Sequence, residues 1–238
     1  VLPDCVERDA ENQTAVRIHG REVSVVEAPQ DYWRWVAEGR YDSEWAVYDR
    51  WLKPEHTFID LGAWVGAHSL YAAGTVKTVV CVEPDPVARG ILMDNLALLN
   101  PRPATHVIPD AVSDEAGAIE MGSSCLGAST TRKAFPMGFP GEDPRSAETF
   151  TCSKVALRGL AKMFPDPLFI KMDIEGMEEE VLRDVEFFRE RKPTVLVELH
   201  PFWWGDPLNT WQDFGAVKRL YQGEEVPHPN SNTWVLHS

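Results

Sequence analysis

From residue 57 onward, short apolar runs alternate with amphipathic stretches, and every run closes on an acid. The runs "TFIDL", "KTVVCVE", "THVIPDAV", "LFIKMDI" and "PTVLVELH" read as five strands. They are apolar at consecutive positions, not at alternate ones, as in strands buried on both faces. The intervening text carries a helical period. "GAHSLYAAG" reads as a helix ended by Gly74. "DPVARGILMDNLALLN" places Ala88, Ile91, Leu92, Leu96 and Leu99 on one face. "EGMEEEVLRDVEFFRER" reads as a single helix with Met177, Val181, Val185 and Phe188 on one side. Strand–helix alternation of this kind predicts an α/β fold, with a mostly parallel, doubly wound sheet. Its ligand site is expected outside the carboxyl ends of the strands, near the point where strand order reverses.

Residues 1–53 read as a small N-terminal strand/helix extension packed on a core of residues 54–238. "TAVRIHGREVSVVEA" alternates as two strands about His19-Gly20, and two short helices follow near 30–39 and 43–52, carrying Trp33, Trp35, Trp45 and Trp51. The stretch 122–150 is rich in Gly, Pro, Ser and Thr and reads as a long loop, either a lid or unstructured. Acids outnumber bases 37 to 23, a net charge of −14. Such a field repels phosphate backbones, so nucleic acid is not expected as a partner. Of the four cysteines none forms a C-x-x-C pair. A zinc site and a disulfide framework are therefore not expected, and a reducing, cytoplasmic setting is. No apolar run is long enough for a membrane span, and the opening residues lack a secretory pattern. Oligomeric state has no signature in the sequence.

The strand ends carry the chemistry. The first strand ends in Asp60 and the turn Gly62-Ala63-Trp64-Val65-Gly66. The second ends in Glu83-Pro84, the third in Asp110-Ala111, the fourth in Asp173 and Glu175, and the fifth in Glu198 and His200. Glycines let a backbone approach a ligand and open a helix with free N–H groups. An acid about 20 residues beyond such a turn suits ribose hydroxyls. A pyrophosphate would meet Asp60 beside the turn, whereas a cofactor with a cationic sulfonium would be welcome there. S-adenosylmethionine fits these features, with S-adenosylhomocysteine as its product. A dinucleotide is the runner-up, since the Gly62-x-x-x-Gly66 spacing departs from its fingerprint.

Taken together, "FIDLGAWVGAHSLYAA", "VVCVEPDPVARGILMDNLALLN", "DAVSDEAG", "LFIKMDIEGMEEEVL" and "TVLVELHPF" resemble the FkbM-type methyltransferases over about residues 40 to 202. The resemblance implies a Rossmann-like class I methyltransferase fold and S-adenosylmethionine as methyl donor. It also implies transfer to a hydroxyl oxygen on a small molecule, a sugar or lipid-linked acceptor, or a secondary metabolite. By position, Asp60, Gly62, Ala63, Trp64 and Gly66 match the cofactor turn, and Glu83 and Pro84 the ribose segment. Asp110 and Ala111 match the segment beside the adenine. Asp173, Glu175 and Glu178 match the D-x-E-G-x-E pattern, and Asp173 also borders the cofactor. Glu198 and His200 match the fifth-strand motif. Trp64 stands where that family usually has Asn.

Methyl transfer needs alignment above all, and an alcohol nucleophile benefits from a base. His200 is the candidate base, as neutral imidazole, with Glu198, Asp173 and Glu175 as the other catalytic candidates. A divalent metal held by Asp173, Glu198 and His200 is the less favoured alternative. Trp203 and Trp204 follow the fifth strand and are expected as packing, or else as a stacking surface for the acceptor. A methyltransferase-fold protein that binds without catalysing is the alternative function, raised by Trp64.

Overall fold

The computed structural model describes residues 13–26, 28, 31–123, 131–132, 148–227 and 232–238. The chain opens on an antiparallel hairpin, β1 (Gln13–Ile18) and β2 (Arg21–Val26), followed by α1 (Tyr32–Ala37) and α2 (Asp42–Trp51). The alternating core comes next: β3 (Thr57–Leu61), α3 (Ala67–Ala73), β4 (Thr78–Val82), α4 (Pro86–Ala97) and β5 (Ala104–Ile108). Then come β6 (Ala111–Ser113), β7 (Gly117–Ser123), β8 (Thr131–Arg132), β9 (Glu148–Ala156) and α5 (Leu157–Ala161). The chain returns through β10 (Leu168–Met172), α6 (Glu178–Val181), α7 (Val185–Arg191), β11 (Thr194–Leu199), α8 (Pro207–Lys218), β12 (Gln222–Val226) and β13 (Asn232–His237).

Seven strands form the main sheet in the order β12-β13-β11-β10-β3-β4-β5. β11, β10, β3, β4 and β5 run parallel, while β13 runs antiparallel to both of its neighbours. Strand order reverses between β3 and β10, so the predicted switch point lies there. The residues of β3 and β10 are buried throughout, as their unbroken apolar runs require. One face of the sheet packs against the hairpin, α1, α2, α3 and α4, with Trp45, Tyr48, Tyr71, Phe58 and Phe169 in its interior. The other face packs against α5 to α8 through Leu160, Val181, Phe187, Phe188, Phe214 and Val217. Each fully buried aromatic or branched side chain here is worth about 1.5–3 kcal/mol.

Two expected elements come out differently. "THVIPDAV" is not one strand: Pro109 cannot extend the β5 ladder, and Ala111–Ser113 crosses into a second sheet of order β6-β9-β7-β8. That sheet takes in both ends of the stretch expected as a loop; residues 124–130 and 133–147 lie outside the described residues. "EGMEEEVLRDVEFFRER" is not one helix. Asp184 accepts the Phe187 N–H at 3.0 Å and so starts α7 as its N-cap, while both Asp184 oxygens also take the guanidinium of Arg158. Among the described residues no helix is long and apolar enough to cross a membrane.

Candidate active site

A cavity of about 500 Å³ opens at the carboxyl ends of β3, β4, β10 and β11. The β3 turn forms its floor. Gly62 has φ +73°, and a Cβ there would lie 1.9 Å from the carbonyl oxygen of Asp173. Only glycine lets the turn pass so close to the end of β10. Gly66 has φ +96°, and a Cβ there would meet Leu92 Cδ1 at 2.7 Å, so it seats α3 on α4 and does not reach the cavity surface. Asp60 does not reach it either. It lies fully buried beneath the turn, accepting from Ser69 Oγ at 2.7 Å, with Lys171 Nζ 3.5 Å from its other oxygen. The sulfonium argument therefore loses its direct contact: the charge of Asp60 is opposed by Lys171 from the facing position on β10.

The other residues expected at the site line the cavity: Gly62, Ala63, Trp64, Glu83, Pro84, Asp110, Ala111, Asp173, Glu175, Glu198 and His200. Glu83 takes the Trp64 N–H on one oxygen and the Asp85 N–H on the other, both at 2.8 Å. Burial pushes its carboxyl up to about 7 against those two bonds. Trp64 holds φ +47°, rare for a large side chain. Its ring meets Tyr32 of α1 edge-on at 4.5 Å, so it forms part of the wall and fastens the N-terminal helices to the turn.

The far end of the cavity is built from charge. Glu178 is fully buried and draws together the loop after β10. One of its oxygens accepts the Ile174 N–H at 3.2 Å, and the other accepts the Gly176 N–H at 3.0 Å and the Trp204 indole at 3.0 Å. His200 Nδ1 lies 3.2 Å from the first. On the opposite side of the ring, Nε2 faces Glu198 at 3.5 Å, Asp173 at 3.8 Å and Glu175 at 3.9 Å. Burial alone would lower the imidazole pKa. The bonds to Glu178 and Glu198 and the charges of Asp173 and Glu175 outweigh it and carry the pKa up to about 12. That direction favours the imidazolium over the neutral imidazole expected of His200. Burial raises the Asp173 carboxyl, with Lys171 pulling the other way and Glu198 reinforcing the rise.

Several lining residues carried no expectation. Lys171 interrupts the apolar run of β10, which is the sequence signal that could have singled it out. Its Nζ donates to the Gly62 carbonyl at 2.9 Å and lies 3.4 Å from Asp173. Burial disfavours its charge, but Asp173, Asp60, Glu198 and Glu44 more than restore it. From α1, α2 and the turn between them come Tyr32, Trp35, Tyr41 and Glu44. Burial first, then the charges of Glu198 and Asp173, lifts the Glu44 carboxyl to about 8. Trp203 and Trp204 are buried; Trp203 borders the cavity and Trp204 lies in the core, so neither is an exposed stacking platform.

The Methyltransferase FkbM domain family matches residues 60–223, more than half of the chain. The chain belongs to the FkbM methyltransferase family. A solved FkbM methyltransferase from Methylobacillus flagellatus KT has a TM-score of 0.53 and 17% identity to it, covering 77% of this chain and 44% of the other. This FkbM chain thus spans less than half the length of that relative. Two further structures are similar at lower scores. An rRNA methylase from Streptococcus thermophilus has a TM-score of 0.43 and 12% identity, covering 82% of this chain and 90% of that one. A Pyrococcus abyssi tRNA (uracil-54, C5)-methyltransferase in complex with S-adenosyl-L-homocysteine has a TM-score of 0.40 and 12% identity, covering 94% and 43%. At these identities the likeness is one of fold, the class I methyltransferase fold, in an S-adenosylmethionine-dependent family. A search of curated proteins finds no significant match. The exclusion of nucleic acid, and with it a small-molecule, sugar or lipid-linked acceptor as the expected partner, is corrected. Solved structures similar to this FkbM chain include RNA methyltransferases. Net charge is a sum over the whole chain and does not decide what one cavity accepts.

Proposed function

We propose that this chain transfers a methyl group from S-adenosylmethionine to a hydroxyl oxygen of its acceptor. The observation that supports this is a division within one cavity. Toward β4 and β5 it is lined by the Gly62–Trp64 turn, Glu83, Pro84, Asp110 and Ala111; toward β10 and β11 by carboxylates, Lys171, His200 and aromatic rings. Its volume is in the usual range for a site holding a small molecule, and its acids suit a cationic sulfonium. Glu83 would hold the ribose with the acceptor capacity its two backbone bonds leave free. Asp110 and Ala111 would border the adenine. Bound there, the cofactor would supply an electrophilic methyl group.

The chain's own residues then have the acceptor to place. Tyr41, Trp35 and Glu44 line the same cavity as Glu175 and Glu198 and would hold the hydroxyl in line. With His200 already protonated, the hydroxyl proton goes to a carboxylate, and Glu198 and Asp173 are the candidates. His200 orients them and balances their charge. Glu198→Gln is expected to reduce kcat at least 100-fold while calorimetric affinity for S-adenosylhomocysteine stays within about threefold. Unchanged turnover would remove Glu198 from the mechanism. Absence of any S-adenosylmethionine binding would refute the reading itself. An acceptor panel of sugars, glycolipids, other alcohols and structured RNA, followed by transfer of labelled methyl, identifies the acceptor class. Cofactor binding without transfer to any of them would favour the non-catalytic binding protein.

A further inference from the structure

Asp173, Glu175 and His200 present one oxygen, one oxygen and one nitrogen to a common point at the cavity's charged end. We propose that this point is a binding site for a hard divalent cation, Mg²⁺ or Mn²⁺.

The geometry of the imidazole is the first argument. Nδ1 is anchored by Glu178, a carboxylate that is itself fixed by two backbone N–H groups and the Trp204 indole. Nε2 is thereby aimed at the cluster. A carboxylate on one ring nitrogen and the ligand position on the other is how metal-binding histidines are oriented. Spacing is the second argument. Nε2 is 3.5–3.9 Å from the nearest oxygens of Glu198, Asp173 and Glu175. Distances near 3.8 Å are too long for hydrogen bonds. They exceed the roughly 3.0–3.7 Å that separates neighbouring ligands around a cation with bonds of about 2.1–2.6 Å, so a bound ion would draw each atom inward by up to roughly half an ångström or more. Charge is the third. Asp173, Glu175, Glu178 and Glu198 gather around this one ring, and the nearest lysine, Lys171, is already shared with Asp60. Several carboxylates around one ring nitrogen supply the oxygen ligands a hard divalent cation takes. Oxygen ligands with one imidazole and no thiolate favour Mg²⁺ or Mn²⁺ over softer metals.

Metal binding does not depend on the methyl-transfer reading. If that reading holds, the cation would also lower the pKa of an acceptor hydroxyl bound beside it, and this extension alone rests on it.

The test is Mn²⁺ titration of chelator-treated protein, followed by electron paramagnetic resonance of free and bound ion. One saturable site per chain is expected, with nitrogen modulation from a single imidazole. Glu175→Gln and His200→Ala should each weaken binding about tenfold or more, and the remote Glu225→Gln should leave it unchanged. The part-exposed Glu175 decides the matter if His200→Ala does not fold. Diffuse, unsaturable binding, absence of nitrogen coupling, or equal affinity in Glu175→Gln would overturn the proposal.

Discussion

Gly62 shows how much one missing atom can settle. With φ +73° and the Asp173 carbonyl 1.9 Å from where a Cβ would stand, alanine is opposed both by backbone conformation and by contact. Gly62→Ala is therefore expected to cost more than about 3 kcal/mol, seen as a fall in the urea midpoint. A cost under about 1 kcal/mol would mean that the turn has room to move. The glycine itself was legible in the sequence, because a turn after a buried strand calls for one. Its neighbour in space was not, since residue 173 is brought there by the β3–β10 pairing. Lys171 and Glu44 were hidden for related reasons. A lysine inside an apolar run is an anomaly that names no partner until Asp60 faces it across the ladder. Glu44 looks like any surface acid on a short helix until α2 is laid over the strand ends.

At the level of elements, the parallel strands and their helices were readable because burial on both faces leaves unbroken apolar runs. The breaks were harder to see. Pro109 and the Asp184 cap are local signals, outweighed in a periodicity reading by the apolar positions on either side of them. The second sheet pairs β7 with β9 across residues 124–147, a non-local pairing that no window on the sequence registers. The loop after β10 depends on Glu178. Glu178→Gln keeps the shape but turns an amide N–H₂ toward the Gly176 N–H and the indole, or toward the Ile174 N–H and His200. Loss of about 2–3 kcal/mol is expected in chemical denaturation. In α2, the Glu44 carboxyl gives a pH dependence. An unfolded chain releases this proton near 4.5, and the folded protein releases it near 8. Below pH 4.5 both states are protonated and the contribution to stability is fully present. Between the two values only the unfolded chain ionises, so stability drains as pH rises through the folded pKa. Glu44→Gln should then melt above the parent protein at pH 8, by a margin that closes toward pH 4.5, in chelator-containing buffer. A margin independent of pH would show that Glu44 does not titrate this way.

For the whole molecule, the last two strands of the chain close over α2. Arg50 pairs with Glu224 of β12 at 2.9 Å, and the Trp51 ring stacks on His237 of β13 at 3.7 Å. Strands from the far end of the sequence thus brace the helix that places Glu44 in the cavity wall. Reading along the chain could suggest an N-terminal extension, but not what would hold it down. The FkbM match starts at residue 60, whereas Tyr32, Trp35, Tyr41 and Glu44 all precede it. One wall of the cavity therefore comes from a part of the chain that the family's shared pattern does not prescribe. Residues 31–53 thus contribute both to the core, through Trp45 and Tyr48, and to the cavity wall. Grafting the equivalent segment of another family member onto this scaffold, with the contacts to β12 and β13 kept, should redirect acceptor choice while cofactor affinity stays put. A wall built from one end of the polypeptide can change shape while the glycine turn after β3 stays as it is.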